Sequence, residues 1–345
     1  MVTSLRWLIG LALFAAAITT ARAKDLGPSF AQFQQSVFLR YLNSDGPQLN
    51  GTPQIGLSIG GPLLRATLDS GSTGVVVAAT SISNLDQLSS LGEGQLTYTS
   101  SGRIMRGRWV LAPVTLTGAD GAQLQTEPMP VLAVLKVECL EHARDCEPTD
   151  EPRHIAMVGI GFAREHDRQP DSTPEKNPLL RISGGGTEWR HGYVVTATGV
   201  QVGLTSANSG GEFQFVKLKR QPDLPDWSAV PACISLNGTI PAACGTMLVD
   251  TGVTAMYMTI PAAQAGGATN SLPPGTPVSI AVGTPAESWE LYDFETGDEA
   301  SAVAPDAVHL HVSESRVFVN TSYHFLNGFD FLYDADGGYA GFRRR

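Results

Sequence analysis

Two aspartates sit in short stretches of nearly the same form. The first is Ala66-Thr67-Leu68-Asp69-Ser70-Gly71-Ser72-Thr73. The second, half a chain later, is Thr246-Met247-Leu248-Val249-Asp250-Thr251-Gly252-Val253-Thr254. In each, an apolar run ends on a carboxylate and passes into a glycine turn lined with hydroxyls. Taken singly, either stretch reads as a turn closing a strand, since Asp, Ser and Gly are ordinary turn residues. Taken together they form a half-chain repeat, which implies two similar lobes. A carboxylate buried at such a turn needs partners, because an unpaired buried charge is costly. The hydroxyls and backbone N–H groups of the turn can supply them. Two such carboxylates held close together cannot both ionise easily, so one can act as an acid while the other acts as a base.

The surrounding sequence reads as the strands needed to hold these turns. The 345 residues are 42% hydrophobic and 16% charged, with 37 Gly and 22 Pro. That balance favours strands and turns, and the length allows one large or two medium domains. Residues 53–60 alternate apolar with small or polar residues, as a half-buried strand does. Leu63 to Leu68 delivers Asp69, and Val75-Val76-Val77 continues as a buried strand. Residues 95–116 read as a hairpin with its tip at Ser100-Ser101-Gly102, and strands are expected at 131–137 and 155–161. Residues 163–178 read as a loop, followed by a short helical turn at Pro178-Leu179-Leu180. Val194 to Leu204 reads as a strand pair and 206–211 as the best linker candidate. Val308 to Phe318 reads as one alternating strand, with His309 and His311 facing solvent.

The N-terminus has the features of an export signal. Arg6 supplies a positive start, Trp7 to Ala17 an apolar run, and Ala21-Arg22-Ala23 a small-x-small cleavage site. The run is short for a membrane span. The mature chain is therefore expected to begin near Lys24 and to be periplasmic or secreted, with no membrane contact after cleavage. In an exported chain four cysteines read as two disulfides. Three connectivities are open. Cys139–Cys146 and Cys233–Cys244 are favoured because each closes a short loop. Neither pair has metal-ligand spacing and no histidine cluster accompanies them, so no metal is expected. The net charge of −10 becomes more negative by two when Arg6 and Arg22 leave with the signal. An acidic surface argues against nucleic acid as a partner.

The paired motifs Asp69-Ser70-Gly71-Ser72-Thr73 and Asp250-Thr251-Gly252-Val253-Thr254 resemble those of pepsin-like (A1-type) aspartic proteases, here of an exported, bacterial type. Tyr98 stands on a hairpin where that family has its flap tyrosine. Met157-Val158-Gly159 is similar to the element that packs under the first aspartate loop. Cys244 lies just upstream of Asp250, where pepsins often close a small disulfide, and Phe331 to Phe342 is similar to the family's last strands. The resemblance covers roughly residues 50 to 345. It implies an all-β, bilobal fold with a cleft between lobes 24–205 and 206–345. Asp69 and Asp250 would be the catalytic pair, supported by Ser70, Gly71, Ser72, Thr251, Gly252 and Thr254. Ser70 and Thr251 would bond across to the opposite loop. Tyr98, Gly102 and Arg103 would form the flap over a peptide or protein substrate. The resemblance implies a monomer that needs no cofactor. The enzyme reading is an aspartic endopeptidase. The alternative is a catalytically weak or inactive relative that uses the same cleft for binding or inhibition.

Four regions depart from the family pattern. Val253 replaces a hydroxyl residue beside the second aspartate, which predicts a lost donor and activity reaching less acidic pH. Val76 replaces a tryptophan that supports the flap tyrosine, so Trp109 is expected to take that place. Val319-Asn320-Thr321-Ser322 stands where relatives have a hydrophobic pair and then Gly. The hairpin carries Arg103, Arg106 and Arg108, which read either as a solvated face or as a preference for acidic substrate residues. Asp334-Ala335-Asp336-Gly337 reads as a hairpin turn, because the Glu that would complete a calcium loop is missing. Asn237-Gly238-Thr239 and Asn320-Thr321-Ser322 match the glycosylation pattern.

Overall fold

The computed structural model describes residues 27–141, 143, 146–165, 169–170 and 172–345. The expected signal and its cleavage site lie outside the described residues. Three sheets carry the fold. A nine-stranded sheet is built from strands between Gln54–Ser58 and Ala156–Ile160. A seven-stranded sheet is built from strands between Val230–Leu236 and Phe318–Asn320. The third, six-stranded sheet takes strands from both halves. Its Gly192–Val195 strand pairs with Phe329–Asp334, and Val37–Arg40 and Gln214–Lys217 form its edges. Residues 24–48, modest in pattern, thus include an edge strand of this shared sheet.

The sequence repeat is also a repeat of topology. In the nine-stranded sheet Leu64–Asp69 runs parallel to Ala156–Ile160, which runs antiparallel to Thr73–Ala78. In the seven-stranded sheet Ala243–Leu248 runs parallel to Phe318–Asn320, which runs antiparallel to Met256–Ile260. In both, a strand from far along the chain inserts between the two arms of an aspartate turn. Thr73–Ala78 is buried at every position, which suits its β-branched run. The main apolar core is continuous from Leu68 through Tyr193 and Tyr333 to Ile280 and Phe325. A separate cluster of Val76, Leu96, Met105 and Leu132 lies under the long hairpin, with Tyr98 and Met157 against it.

Several local readings change. The hairpin's first strand is Ser89–Tyr98, starting six residues earlier than its apolar alternation. Those first residues are solvent-exposed and glycine-bearing, so burial left no pattern there. The expected strand 308–318 is two strands, Val308–Val312 and Phe318–Asn320, separated by a turn. They flank Met256–Ile260 on opposite sides, so period-two alternation continued across a break. The linker candidate 206–211 is a bonded turn: the Ser209 N–H donates to Thr205 O at 3.0 Å, and Arg343 donates to Gly210 O at 2.9 Å. Disulfides join Cys139 to Cys146 and Cys233 to Cys244. Asp334 to Gly337 is a hairpin turn. Its Asp334 is fully buried and takes a two-pronged bond from Arg190, at 2.8 and 2.9 Å.

Candidate active site

Both aspartates sit at the ends of their strands and are nearly enclosed, Asp69 at 4% and Asp250 at 6% exposure. The two turns face each other. A Cβ on Gly71 would lie 2.4 Å from the Asp250 carboxyl atoms, and one on Gly252 would lie 2.5 Å from Asp69 Oδ1. Each glycine is therefore the floor against which the other lobe's carboxylate rests, and no side chain fits there. The turns are cross-linked. The Ser70 N–H donates to Thr251 Oγ1 at 3.0 Å, and the Thr251 N–H to Ser70 Oγ at 3.1 Å. The two hydroxyls then donate to carbonyls of the opposite strand, Ser70 Oγ to Val249 O and Thr251 Oγ1 to Leu68 O, both at 2.6 Å.

Each carboxylate accepts one bond from its own turn and one from a side chain. Asp69 accepts from the Gly71 N–H at 2.7 Å and from Ser72 Oγ at 2.5 Å. Asp250 accepts from the Gly252 N–H at 2.9 Å and from Asn320 Nδ2 at 2.5 Å. The donor expected to be lost at Val253 is thus replaced, from a different strand. The parallel pairing of Leu248 with Asn320 places the amide there. The Asn320 Oδ1 accepts the Ser322 N–H at 3.3 Å, which orients the amide. This also removes Asn320 as a glycosylation site, since it is buried beside the aspartate. Thr254 does not support the pair: it is exposed in the cleft, and its side chain makes no bond to the dyad among the described residues. Its counterpart Thr73 is buried, and its Oγ1 donates to Gly161 O at 2.9 Å.

Burial raises the Asp250 carboxyl, and the neighbouring charge of Asp69 raises it further; the Asn320 and Gly252 donors and Arg164 act in the opposite sense. Arg164 had no signal in the sequence. It is buried, its Nε donates to Gly71 O at 2.7 Å, and Gln169 Nε2 donates to the same carbonyl at 3.3 Å.

The aspartates open into a cleft of about 450 Å³, lined among others by Tyr98, Arg103, Met157 and Val253. Tyr98 ends the first hairpin strand, and Gly102 closes the tip with a left-handed φ of +77° and its N–H on Tyr98 O at 2.8 Å. A Cβ at Gly102 would strike Ala143 at 2.5 Å. The Tyr98 hydroxyl is buried beside Ser72. Burial, then the Asp69 charge, raise it above the usual phenol range. Trp109 does not take the place expected of it. The hairpin register sets Trp109 opposite Gly92, well away from Tyr98 opposite Arg103, and its ring packs over Gly94. Of the hairpin arginines only Arg103 lines the cleft. Arg106 pairs with Glu138 at 2.5 Å and Arg108 with Asp86 at 2.9 Å.

No protein-family model matches this sequence, and no curated protein matches it. Among solved structures, the chain is similar to an aspartic proteinase from Irpex lacteus. The TM-score is 0.56 at 13% identity, over 90% of this chain and 97% of that one. The fold is pepsin-like. In these terms the cleft lies between two lobes, and one aspartate turn comes from each. Among the described residues no helix is long and apolar enough to cross a membrane.

Proposed function

We propose that this chain is an exported aspartic endopeptidase of bacterial type, working as a monomer in the periplasm or outside the cell on peptide or protein substrates. The observation that carries this reading is reciprocal: Gly71 floors the Asp250 carboxyl and Gly252 floors that of Asp69. Two carboxylates so placed hold one proton between them. The ionised one takes a proton from a water, whose oxygen attacks the peptide carbonyl carbon. The protonated one gives its proton to the carbonyl oxygen, and return of a proton to the nitrogen expels the amine. No acyl-enzyme forms. Ser72 and Asn320 hold the outer oxygens, and the Ser70–Thr251 cross-links fix the two turns relative to each other. Lobes 24–205 and 206–345 each supply one aspartate, and the hairpin from Tyr98 to Arg103 covers the substrate.

The test is cleavage of a denatured protein between about pH 3 and pH 7, the range in which carboxylates and a shared proton can work. Wild type should cleave, and Asp69→Asn and Asp250→Asn should each abolish cleavage while keeping the wild-type circular dichroism. Activity surviving in both variants would rule out the mechanism. A folded wild type that cleaves nothing but binds peptide in the cleft would mark a binding protein or inhibitor.

A further inference from the structure

Beyond the aspartates the cleft continues into a larger groove of about 920 Å³, between the hairpin tip and the seven-stranded sheet. Its floor is one face of three adjacent strands. Asn320 pairs with Tyr257, and Tyr257 with His309. One step along, Phe318 pairs with Thr259, and Thr259 with His311. Residues two apart on a strand share a face, so all six side chains point the same way. The row that starts at Asn320, beside Asp250, therefore ends on His309, and the next row ends on His311. His309 lies against the Tyr257 ring, centroids 5.1 Å apart, and is half-buried rather than facing solvent. Arg316 closes the far side with its guanidinium 4.4 Å above the Phe318 ring.

Imidazole N–H groups and a guanidinium are donors suited to a carboxylate. They collect on this wall although the chain as a whole carries a net charge of −10. Glu141, at the hairpin side, is the one acidic residue among the described residues that line the groove. We infer that His309, His311 and Arg316 make this groove a subsite for substrates carrying Asp or Glu a few residues from the scissile bond. The spacing gives the position. His309 is two strand steps from Asn320, about 10 Å, and His311 lies slightly farther. An extended peptide advances about 3.4 Å per residue, so the acidic residue falls about two to four positions from the cleaved bond. Arg106 and Arg108 are engaged by Glu138 and Asp86, so of the acidic preference first suggested by the hairpin arginines only Arg103 remains on that wall, facing these three residues on the other.

This inference rests on the peptidase reading, and the experiment separates the two. Two fluorogenic peptides, identical except for Glu or Gln at those positions, are compared by kcat/KM. A partly exposed ion pair is worth up to about 1 kcal/mol, so wild type should prefer the Glu peptide by about fivefold. The ratio should fall close to one in the His311→Gln/Arg316→Gln double variant and be kept by Arg316→Lys. In parallel, uncleavable reduced-bond forms of the same peptides are titrated by fluorescence anisotropy against Asp250→Asn. If nothing is cleaved but the Glu form binds more tightly by the same factor, and the double variant loses that difference, the subsite stands and the peptidase reading falls. A wild type indifferent to Glu or Gln in both assays, or a preference unchanged by the double variant, overturns the subsite.

Discussion

The Asn320 amide donates to Asp250 Oδ2 at 2.5 Å, across 70 residues of chain, and takes over the part that Ser72, three residues along, plays for Asp69. The two turns are therefore equally bonded by different means. A side chain three residues on can reach the carboxylate from within its own turn. Asn320 reaches it only because the inserted strand runs alongside Leu248.

Removing this donor should weaken the site in a directed way. A hydrogen bond to a charged group contributes about 1.5–3 kcal/mol, so Asn320→Leu should lower kcat by about tenfold or more. Loss of a bond to the ionised form raises the carboxyl further, so the pH–rate profile should move towards neutral. Adding Val253→Ser should restore both rate and profile by supplying a donor from the turn. A rescued rate without a rescued profile would mean that Asn320 acts by packing alone.

Ser322 is strained where it stands. Its φ is +70°, and its Oγ is buried with no hydrogen-bond partner among the described residues. A non-glycine residue in this region costs about 1–3 kcal/mol, and an unsatisfied buried hydroxyl adds about 1–3 kcal/mol. Glycine recovers both and gives back about 1 kcal/mol through the unfolded chain. Ser322→Gly should therefore raise Tm by several degrees, read by calorimetry at constant pH. An unchanged or lower Tm would show that the hydroxyl has a partner in the folded protein.

The raised Asp250 carboxyl makes stability depend on pH. Its folded value, about 7, lies above the ordinary value near 3.8. A group shifted upward lends stability below its unfolded value and loses it as pH rises through the folded value. This residue's contribution should therefore decline from about pH 4 to pH 7. The check is Tm across that interval for wild type and Asp250→Asn. The difference between them should shift steadily in favour of the variant as pH rises. A constant difference would mean that Asp250 does not hold its proton on folding.

Elements whose cause is local were legible in the residues alone. Period-two runs marked most strands because one face of each meets the core. The repeated Asp-Ser/Thr-Gly stretch carried the two-lobed arrangement, and the family resemblance the all-β fold. The short loops carried the disulfide pairs, and the apolar run into Asp69 carried the strand that delivers it. Where burial is absent, as at Ser89 to Gly94, the pattern was absent too. Features that depend on distant strands lying side by side came only with the folded arrangement. It joined strands of both halves into one shared sheet. It divided the 308–318 run around Met256–Ile260, buried Arg164 against Gly71, and half-buried His309 against Tyr257 while His311 stays exposed. It also made Asn320 the donor to Asp250: alternation tells which residues share a face of one strand, but not which strand comes to lie beside it.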